Sequence, residues 1–456
     1  MQQTRPEDPA SAVPPGAAPG ERDAVAEAAR GYWRRRGLPT GPEQVVTAPT
    51  APLLLAALLA AACADGARGP GGVVLPRPGP AWHADQVRLL GLPSHPVPVP
   101  ADCGGAPDPF ALLEAVGRAR AAGGDPRVLL LSVADGLTGT AAPPELLHEV
   151  CEAAEQEGLL VVSDESWRDT AHDPRGTVLA GPAEILHCSV PYTARGTRPG
   201  PGPLAVAHPR PLGGGNDSVV VLVDPGTALD AAPGTALAAA PAAARLPAGD
   251  RGRHLGAGTR AALAALHARP RGPAAAAAAE ACGEPEGLRG RRAAANRLHG
   301  ALAAALHRAL TAAGAVCRRP GAGRHLYPDF EPLRPALAAR GITDAPGLEA
   351  ELVRRLGPYA AGGHRFGDDP RALRVRLSTG LLARGAPAGA APPGPGAGPS
   401  GPPDPPSPGD RAPGVPGHPG TAAALAALAT ALDEMAAGGP GAAAPAKSPD
   451  TDGSPV

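Results

Sequence analysis

VVSDESWRDT, at Val161–Thr170, is the most informative stretch of this 456-residue sequence. With the two leucines before it, its first half forms the short apolar run LLVVS, Leu159–Ser163, which predicts a buried strand. The run is followed at once by the acidic pair Asp164–Glu165 and then by Trp167. Taken alone, an acidic pair is an ordinary end for a strand of any α/β protein, so its meaning depends on the elements around it.

The neighbouring segments alternate between predicted helices and strands. Pro109–Ala121 places its apolar side chains on one side of a helix, and RVLLLSV at Arg127–Val133 predicts a second buried strand. Pro144–Glu157 predicts a helix that Pro-Glu opens and Gly158 closes. Short continuous apolar strands between amphipathic helices predict a mixed, mostly parallel sheet with helices on both faces.

The second half of the chain predicts a smaller α+β domain. Ile185–Ser189 and Ser218–Val223 are predicted as further strands of the large α/β domain, whereas residues 224–284 carry only a weak helical pattern. Leu288–Ala313 predicts a long helix with leucines four residues apart, and two helices and two short strands follow it. The predicted segments are a disordered leader (1–21), the large domain with an N-terminal helix (22–285), the small α+β domain (286–383), a Pro/Gly-rich insertion or linker (384–420), a terminal helix of the small domain (421–437) and a disordered tail (438–456).

Composition limits the class of function. The formal net charge of -1 gives no electrostatic argument for binding nucleic acid or an anionic membrane. Met1–Ala18 lacks the apolar core of a signal peptide, and the longest apolar run, Leu53–Ala64, is too short to span a bilayer. The six cysteines are scattered without a CxxC pair, so no metal site is expected. We therefore expect a cytoplasmic protein with reduced thiols that binds neither nucleic acid nor a membrane.

The chain has a single lysine, Lys447, close to its C-terminal end. All its other strongly basic side chains are arginines. Any mechanism that needs a lysine ε-amine therefore has only Lys447 to supply it.

The order of the elements and several motifs resemble the class I/II aminotransferases, pyridoxal-phosphate (PLP) enzymes of fold type I. The resemblance covers roughly residues 23–383 and the last helix. GYWRRRGLPTGPEQVVTAP at Gly31–Pro49 is similar to the first helix, the Pro-containing link and the first strand of that family. The resemblance implies a fold-type-I PLP-dependent transferase fold, PLP as cofactor, a small-molecule ligand and a homodimer.

The motif at Val161–Thr170 resembles the family's strand that ends in Asp-Glu-x-Tyr. The resemblance assigns Asp164 to the pyridine nitrogen of PLP, where a carboxylate keeps the ring protonated and improves it as an electron sink. Trp167 replaces the tyrosine whose hydroxyl contacts the cofactor, and an indole N–H donates a hydrogen bond but accepts none. Gly136 stands where the family carries an asparagine that bonds the ring oxygen.

Two further positions are implied by the resemblance. PRPGPAWHAD at Pro76–Asp85 is similar to the segment whose aromatic stacks on the PLP ring, which makes Trp82 the candidate. LRVRLST at Leu373–Thr379 is similar to the last strand, whose arginine binds the substrate α-carboxylate, and Arg376 is the match. A core or dimer-contact role for the tryptophan, and a surface ion pair for the arginine, are equally open alternatives.

The phosphate and lysine positions depart from the family pattern. At Ala48–Pro52, APTAP, two prolines stand where backbone N–H groups normally hold the phosphate. The family's Ser-x-Ser-Lys is best matched by Ser189–Tyr192, which puts Tyr192 at the lysine position. Its Gly-x-Arg-x-Gly is matched by Gly196–Gly200, in which Arg198 could still face a phosphate.

Two functional hypotheses follow. The first is an aminotransferase-like pseudoenzyme without a catalytic residue at the lysine position, which binds an amino-acid-like or phosphorylated small molecule or acts as a regulatory or scaffold partner. The second is an active PLP-dependent enzyme that holds PLP or pyridoxamine phosphate non-covalently through Asp164, Trp82, Arg198 and Arg376. Transamination uses the lysine amine both to hold PLP and to move a proton, and a phenol of pKa about 10 does neither in that form.

Overall fold

A computed structural model describes residues 19–64, 69–100, 103–177, 179–188, 219–224, 241–385 and 419–437. Ten strands and twelve α-helices lie in these ranges. The strands are β1 (Val45–Ala48), β2 (Gly72–Arg77), β3 (Ser94–Pro98), β4 (Pro126–Ser132), β5 (Leu160–Asp164), β6 (Val219–Val223), β7 (Ala242–Arg245), β8 (His325–Leu326), β9 (Ala360–Gly362) and β10 (Val375–Ser378). The helices are α1 (Pro19–Arg35), α2 (Ala51–Ala62), α3 (Ala81–Leu89), α4 (Pro109–Ala121), α5 (Pro144–Gln156), α6 (Pro182–Cys188), α7 (Gly249–Ala265), α8 (Gly272–Gly283), α9 (Glu286–Ala312), α10 (Arg334–Ala338), α11 (Ala345–Leu356) and α12 (Pro419–Ala436).

Seven strands form the main sheet in the order β1-β7-β6-β5-β4-β2-β3. The strands from β6 to β3 pair in parallel, whereas β7 pairs antiparallel with both β6 and β1. The predicted mixed, mostly parallel sheet is therefore confirmed. Because β5 lies between β4 and β6, its C-terminal residue Asp164 comes out near the middle of the sheet edge.

Both faces of the main sheet are covered by helices. Side chains alternate along β5, so that Val161 packs into one hydrophobic cluster while Leu160 and Val162 pack into the other. The first cluster collects apolar side chains of α1, α4 and α5, and the second collects those of α2 and α7. Because both faces of the sheet are buried, side chains that point to either face must be apolar, and the strands are therefore continuous apolar runs.

A second, three-stranded sheet follows in the order β8-β10-β9, with antiparallel pairing throughout. A separate hydrophobic cluster joins it to α9, α11 and α12, and Phe330 is a fully buried member of that cluster. The α+β character predicted for this part of the chain is therefore confirmed. Among the described helices, none combines the length and the apolar character needed to span a bilayer.

A closed ring of four ion pairs ties the two parts together. Arg36, just after α1, pairs with Asp169 at 2.8 Å and with Glu284 at 2.9 Å. Arg292 on α9 pairs with the same two carboxylates, at 3.1 Å and 2.6 Å. Burial opposes the charge on Glu284, but the hydrogen bonds from Arg36 and Arg292 outweigh it and lower the pKa of its carboxyl to about 2.

One predicted strand is wrong. Ile185–Ser189 was expected to be a strand, but α6 occupies Pro182–Cys188, and Ser189 lies outside the described residues. Proline is favoured in the first helical turn, and the Glu184 carboxylate accepts the Gly181 N–H at 3.1 Å, which caps the helix start. The capping contacts outweigh the strand propensity of a short apolar run.

Candidate ligand-binding site

A cavity of about 860 Å³ opens at the C-terminal edge of the main sheet, between that sheet and the smaller one. Asp164 and Asp224, which end or directly follow β5 and β6, line one side. Arg376 on β10 lines the other side. The cavity is therefore walled by residues that are far apart in sequence and that only the packing of the two sheets brings together.

The structure brings together four of the six positions predicted as site residues. Trp82, Asp164, Trp167 and Arg376 all line this cavity. Tyr192 and Arg198 lie outside the described residues. The proximity of the four supports a shared site, and the roles that the resemblance gives them remain predictions.

Asp164 is buried, and both of its carboxylate oxygens have hydrogen-bond partners. Its Oδ2 lies 3.0 Å from His83 Nε2, and its Oδ1 accepts the Ser166 hydroxyl at 2.6 Å and the Ser166 N–H at 3.0 Å. Burial raises the pKa of this carboxyl, but the contacts with His83 and Ser166 outweigh burial and hold the pKa below its ordinary value. The carboxylate at the cavity wall is therefore ionised at neutral pH.

The Trp167 indole occupies the space next to Gly136 that a side chain at residue 136 would fill. A Cβ placed on Gly136 would lie 2.5 Å from Trp167 Nε1 and 3.0 Å from its Cδ1. The indole ring also makes an edge contact with His325, with ring centroids 5.5 Å apart. The Trp167 indole therefore occupies the space that a side chain at residue 136 would need.

Arg376 reaches the cavity as an unpaired cation. Its guanidinium lies 4.7 Å above the Phe366 ring, and no carboxylate of the described residues is within ion-pair distance of it. Burial lowers the pKa of Arg376, while the charge of Asp135 acts in the opposite direction. Since arginine stays protonated in proteins, a partly buried and unpaired guanidinium at a cavity wall favours an anionic ligand.

His325 supports the wall behind Trp167. Its ring makes an edge contact with the indole, and burial, with the charges of Arg376 and Arg324, lowers the pKa of its imidazole to about 3. The imidazole is therefore neutral at physiological pH. It adds no charge next to Arg376 and leaves the arginine as the cationic group on that side.

The N-terminus of α2 forms a third part of the cavity wall. Thr50 caps the helix by accepting the Leu53 N–H at 3.3 Å, and Thr50, Ala51 and Pro52 all line the cavity. Pro52 has no N–H, so the first turn offers fewer donors to an anion than an ordinary helix start.

Sequence reasoning missed three residues of this site. Asp224 directly follows the apolar run of β6. Had β6 been predicted to pair with β5, this position would have marked Asp224 as a neighbour of Asp164. His83 stands next to Trp82 in sequence, but its contact with Asp164 depends on the placement of α3. Phe366 lies in a turn with no motif, and no sequence signal marks it.

Residues 12–189 match the family model Aminotransferase class I and II. No curated protein matches the chain.

Solved structures of aminotransferases match most of it. An N-succinyldiaminopimelate aminotransferase from Mycobacterium tuberculosis superposes with a TM-score of 0.61, at 21% identity, over 80% of this chain and 82% of that chain. An aspartate aminotransferase from Rhizobium meliloti gives a TM-score of 0.63, at 15% identity, over 90% and 82%. The aspartate aminotransferase from Thermus thermophilus with maleate gives 0.58, at 18% identity, over 78% and 77%. The fold is thus that of the PLP-dependent transferases of fold type I.

Among the described residues, two features of the cavity lining do not fit PLP held in the way that the resemblance implies. The Trp167 indole fills the space of a side chain at Gly136, so no group at that position can bond the cofactor. Pro52 removes an N–H from the first turn of α2. The only lysine, Lys447, lies outside the described residues.

Proposed function

We propose that this chain, whose fold is that of the PLP-dependent transferases, is an aminotransferase-like pseudoenzyme that binds a small carboxylate directly. Arg376 carries the proposal, because a guanidinium in the cavity wall without an ion-pair partner among the described residues is a ready site for a carboxylate. The match of residues 12–189 to the class I and II aminotransferase model supports the ancestry that this implies.

The chemistry of the chain argues against ordinary transamination. Transamination forms an imine with a primary amine of the protein and later needs that amine to move a proton. Lys447 is the only lysine, and it follows α12 in a segment rich in alanine and proline. Loss of a catalytic nucleophile or base typically lowers the rate by several powers of ten.

Maleate is a suitable probe, because a Thermus thermophilus aspartate aminotransferase of the same fold is described with maleate. We expect maleate to bind the purified chain in isothermal titration calorimetry. Arg376→Gln should weaken binding about 10- to 100-fold, since a charged hydrogen-bonded pair is lost. Binding that is unaffected by Arg376→Gln would contradict the proposal.

Arg374→Gln is the matched control. Arg374 lies two residues away, next to β10, but it pairs with Asp329 at 2.9 Å and Asp368 at 3.1 Å and does not line the cavity. This variant should lose some stability and keep its affinity for maleate.

The second candidate function is an active enzyme with non-covalent PLP or pyridoxamine phosphate. It is favoured by one observation, the ionised carboxylate of Asp164 at the cavity wall, which is the partner a pyridinium nitrogen needs. Incubation with micromolar PLP, desalting and an absorbance spectrum test it. Retained cofactor absorbance together with amino-group transfer would replace the pseudoenzyme proposal with this one.

We further propose a cytoplasmic homodimer, on the basis of the family resemblance and of the fold it shares with the aminotransferases. Light scattering after size-exclusion chromatography measures the mass in solution. A monomer across the micromolar range would contradict the dimer.

A further inference from the structure

We propose that a second cavity, which lies between α9 and the segment joining β5 to α6, binds an organic di- or triphosphate. Its volume is about 610 Å³, which falls within the usual range of small-molecule sites. It shares no lining residue with the cavity that contains Arg376. The proposal therefore stands or falls separately from the function proposed for the first cavity.

One wall of the second cavity is a single face of α9. Arg289, Ala293 and Arg297 line the cavity and follow one another at a spacing of four residues, which places them in one row along the helix. Two helical turns, about 12 Å of rise, separate the two arginines. Between them the row carries only the methyl group of Ala293, so the space between the two guanidinium groups is not filled by a side chain of this row.

The mostly buried arginines of the cavity are already held by carboxylates. Arg36 and Arg292 belong to the ring of four ion pairs described above. Arg168 pairs with Glu165 at 2.8 Å and with Glu184 at 2.5 Å. These three guanidinium groups form a charge-balanced part of the wall and are not open anion sites.

The two exposed arginines of the row differ from these three. Arg289 donates to the backbone carbonyl of Glu284 at 3.0 Å and has no carboxylate partner among the described residues. Arg297 has neither an ion pair nor a hydrogen bond within the part of the chain that the structure describes. A guanidinium presents its N–H donors as a planar fork that matches the oxygens of a phosphate group. The cavity therefore offers two open forks on one helix row.

Two carboxylates also line the cavity, and they set the charge that a ligand needs. Asp169 is hydrogen-bonded through both oxygens, to Arg36 at 2.8 Å and to Arg292 at 3.1 Å. Asp173 has no ion-pair partner among the described residues, and its Oδ1 accepts the backbone N–H of Arg175 at 2.9 Å. Because the charge of Asp173 repels an anion, a ligand with one negative charge gains little here, and several negative charges are favoured.

Apolar side chains complete the lining. Pro174, Leu179 and Ala293 lie in the same wall as the arginines. An inorganic ion would leave this surface in water, whereas an organic group joined to the phosphates covers it and gains the free energy of burial. A phosphate chain reaching both open guanidinium groups, with an organic group against the apolar surface, satisfies both parts of the cavity.

Isothermal titration calorimetry of the full chain with ADP, in a buffer without divalent cations, tests the proposal. We expect ADP to bind, and pyrophosphate, which lacks the organic group, to bind at least about tenfold more weakly. Arg289→Gln and Arg297→Gln should each weaken ADP about tenfold, because each removes a charged hydrogen bond. Asp173→Asn should strengthen ADP about 2- to 5-fold, because it removes a like charge.

Arg291→Gln is the matched control. Arg291 is an exposed arginine of the same helix that does not line the cavity, and its replacement changes the net charge by the same amount. This variant should keep the affinity for ADP. Arg376→Gln should keep it as well, which would place the bound ADP outside the first cavity.

The results that would overturn the proposal are distinct. No binding of ADP at millimolar concentration would reject the site. Equal weakening by Arg291→Gln and Arg297→Gln would show general attraction to a basic helix in place of a site. Equal affinities for ADP and pyrophosphate would reject the organic part of the ligand. Binding of maleate that depends on Arg376 would leave the proposed function standing in all three cases.

Discussion

Replacing Gly136 by alanine adds one methyl group at the most crowded point of the cavity wall. Its Cβ would lie 2.5 Å from Trp167 Nε1, whereas non-bonded heavy atoms are comfortable at about 3.5–4.0 Å. The indole must therefore move by about 1 Å. Overpacking of this kind costs about 1–3 kcal/mol of unfolding free energy. Gly136 does not have a left-handed φ, so the backbone accepts alanine and the cost arises from the ring contact.

A double-mutant cycle measures that contact. Urea unfolding of Gly136→Ala, Trp167→Ala and the double variant should give a coupling of about 1–2 kcal/mol, because alanine at 136 is harmless once the indole is gone. Gly117→Ala on α4 is the control, since its new methyl meets nothing within 4 Å and should stabilise the helix by about 0.5–1 kcal/mol. Equal costs of Gly136→Ala in both backgrounds would refute the steric argument.

Three further results are expected. Glu284→Gln should lower the unfolding free energy by about 2 kcal/mol at pH 7, a value reduced for solvent screening. Because the pKa of the Glu284 carboxyl in the folded state is lowered to about 2, the stability advantage of the wild type should vanish as the pH falls from about 4.5 toward 2. A stability difference that does not change with pH would contradict this. His299 Nδ1 lies 2.9 Å from Thr379 Oγ1, and burial, with the charge of Arg324, lowers the pKa of this imidazole to about 4. Lowering the pH from 7 to 5 should therefore reduce the unfolding free energy of the wild type by about 2 kcal/mol more than that of His299→Gln, measured by urea unfolding at each pH. Parallel stability curves of the two proteins over this pH range would refute the argument. Thr50→Ala should lower the unfolding free energy by about 1 kcal/mol through loss of the α2 cap, and Thr50→Ser should restore most of it; identical melting of all three proteins would argue against the cap.

The strands of the main sheet could be predicted where helices bury both faces of the sheet. LLVVS and RVLLLSV became β5 and β4 because continuous apolar runs between amphipathic helices have few other solutions. The strand β7, with the sequence AAAR, was missed because alanine favours helices and only pairing with β1 and β6 makes it a strand. Local propensity was overridden there by tertiary hydrogen bonds.

The site was predictable only where a motif exists. Asp164, Trp167, Trp82 and Arg376 could be singled out from the sequence because each stands in a segment that resembles a known family motif. The exclusion between Trp167 and a side chain at 136 could not be predicted, because it depends on a distance between two loops some thirty residues apart.

The cavity lies between the main sheet and the smaller sheet, each of which has its own hydrophobic packing. A ligand that contacts Arg376 on β10 and the residues at the end of β5 bridges the two sheets. Since it binds only when both are intact, it adds its binding free energy to the joint folded state and none to states in which either half has melted. Occupancy should thus make thermal melting more cooperative, with calorimetric and van't Hoff enthalpies converging as the ligand concentration rises.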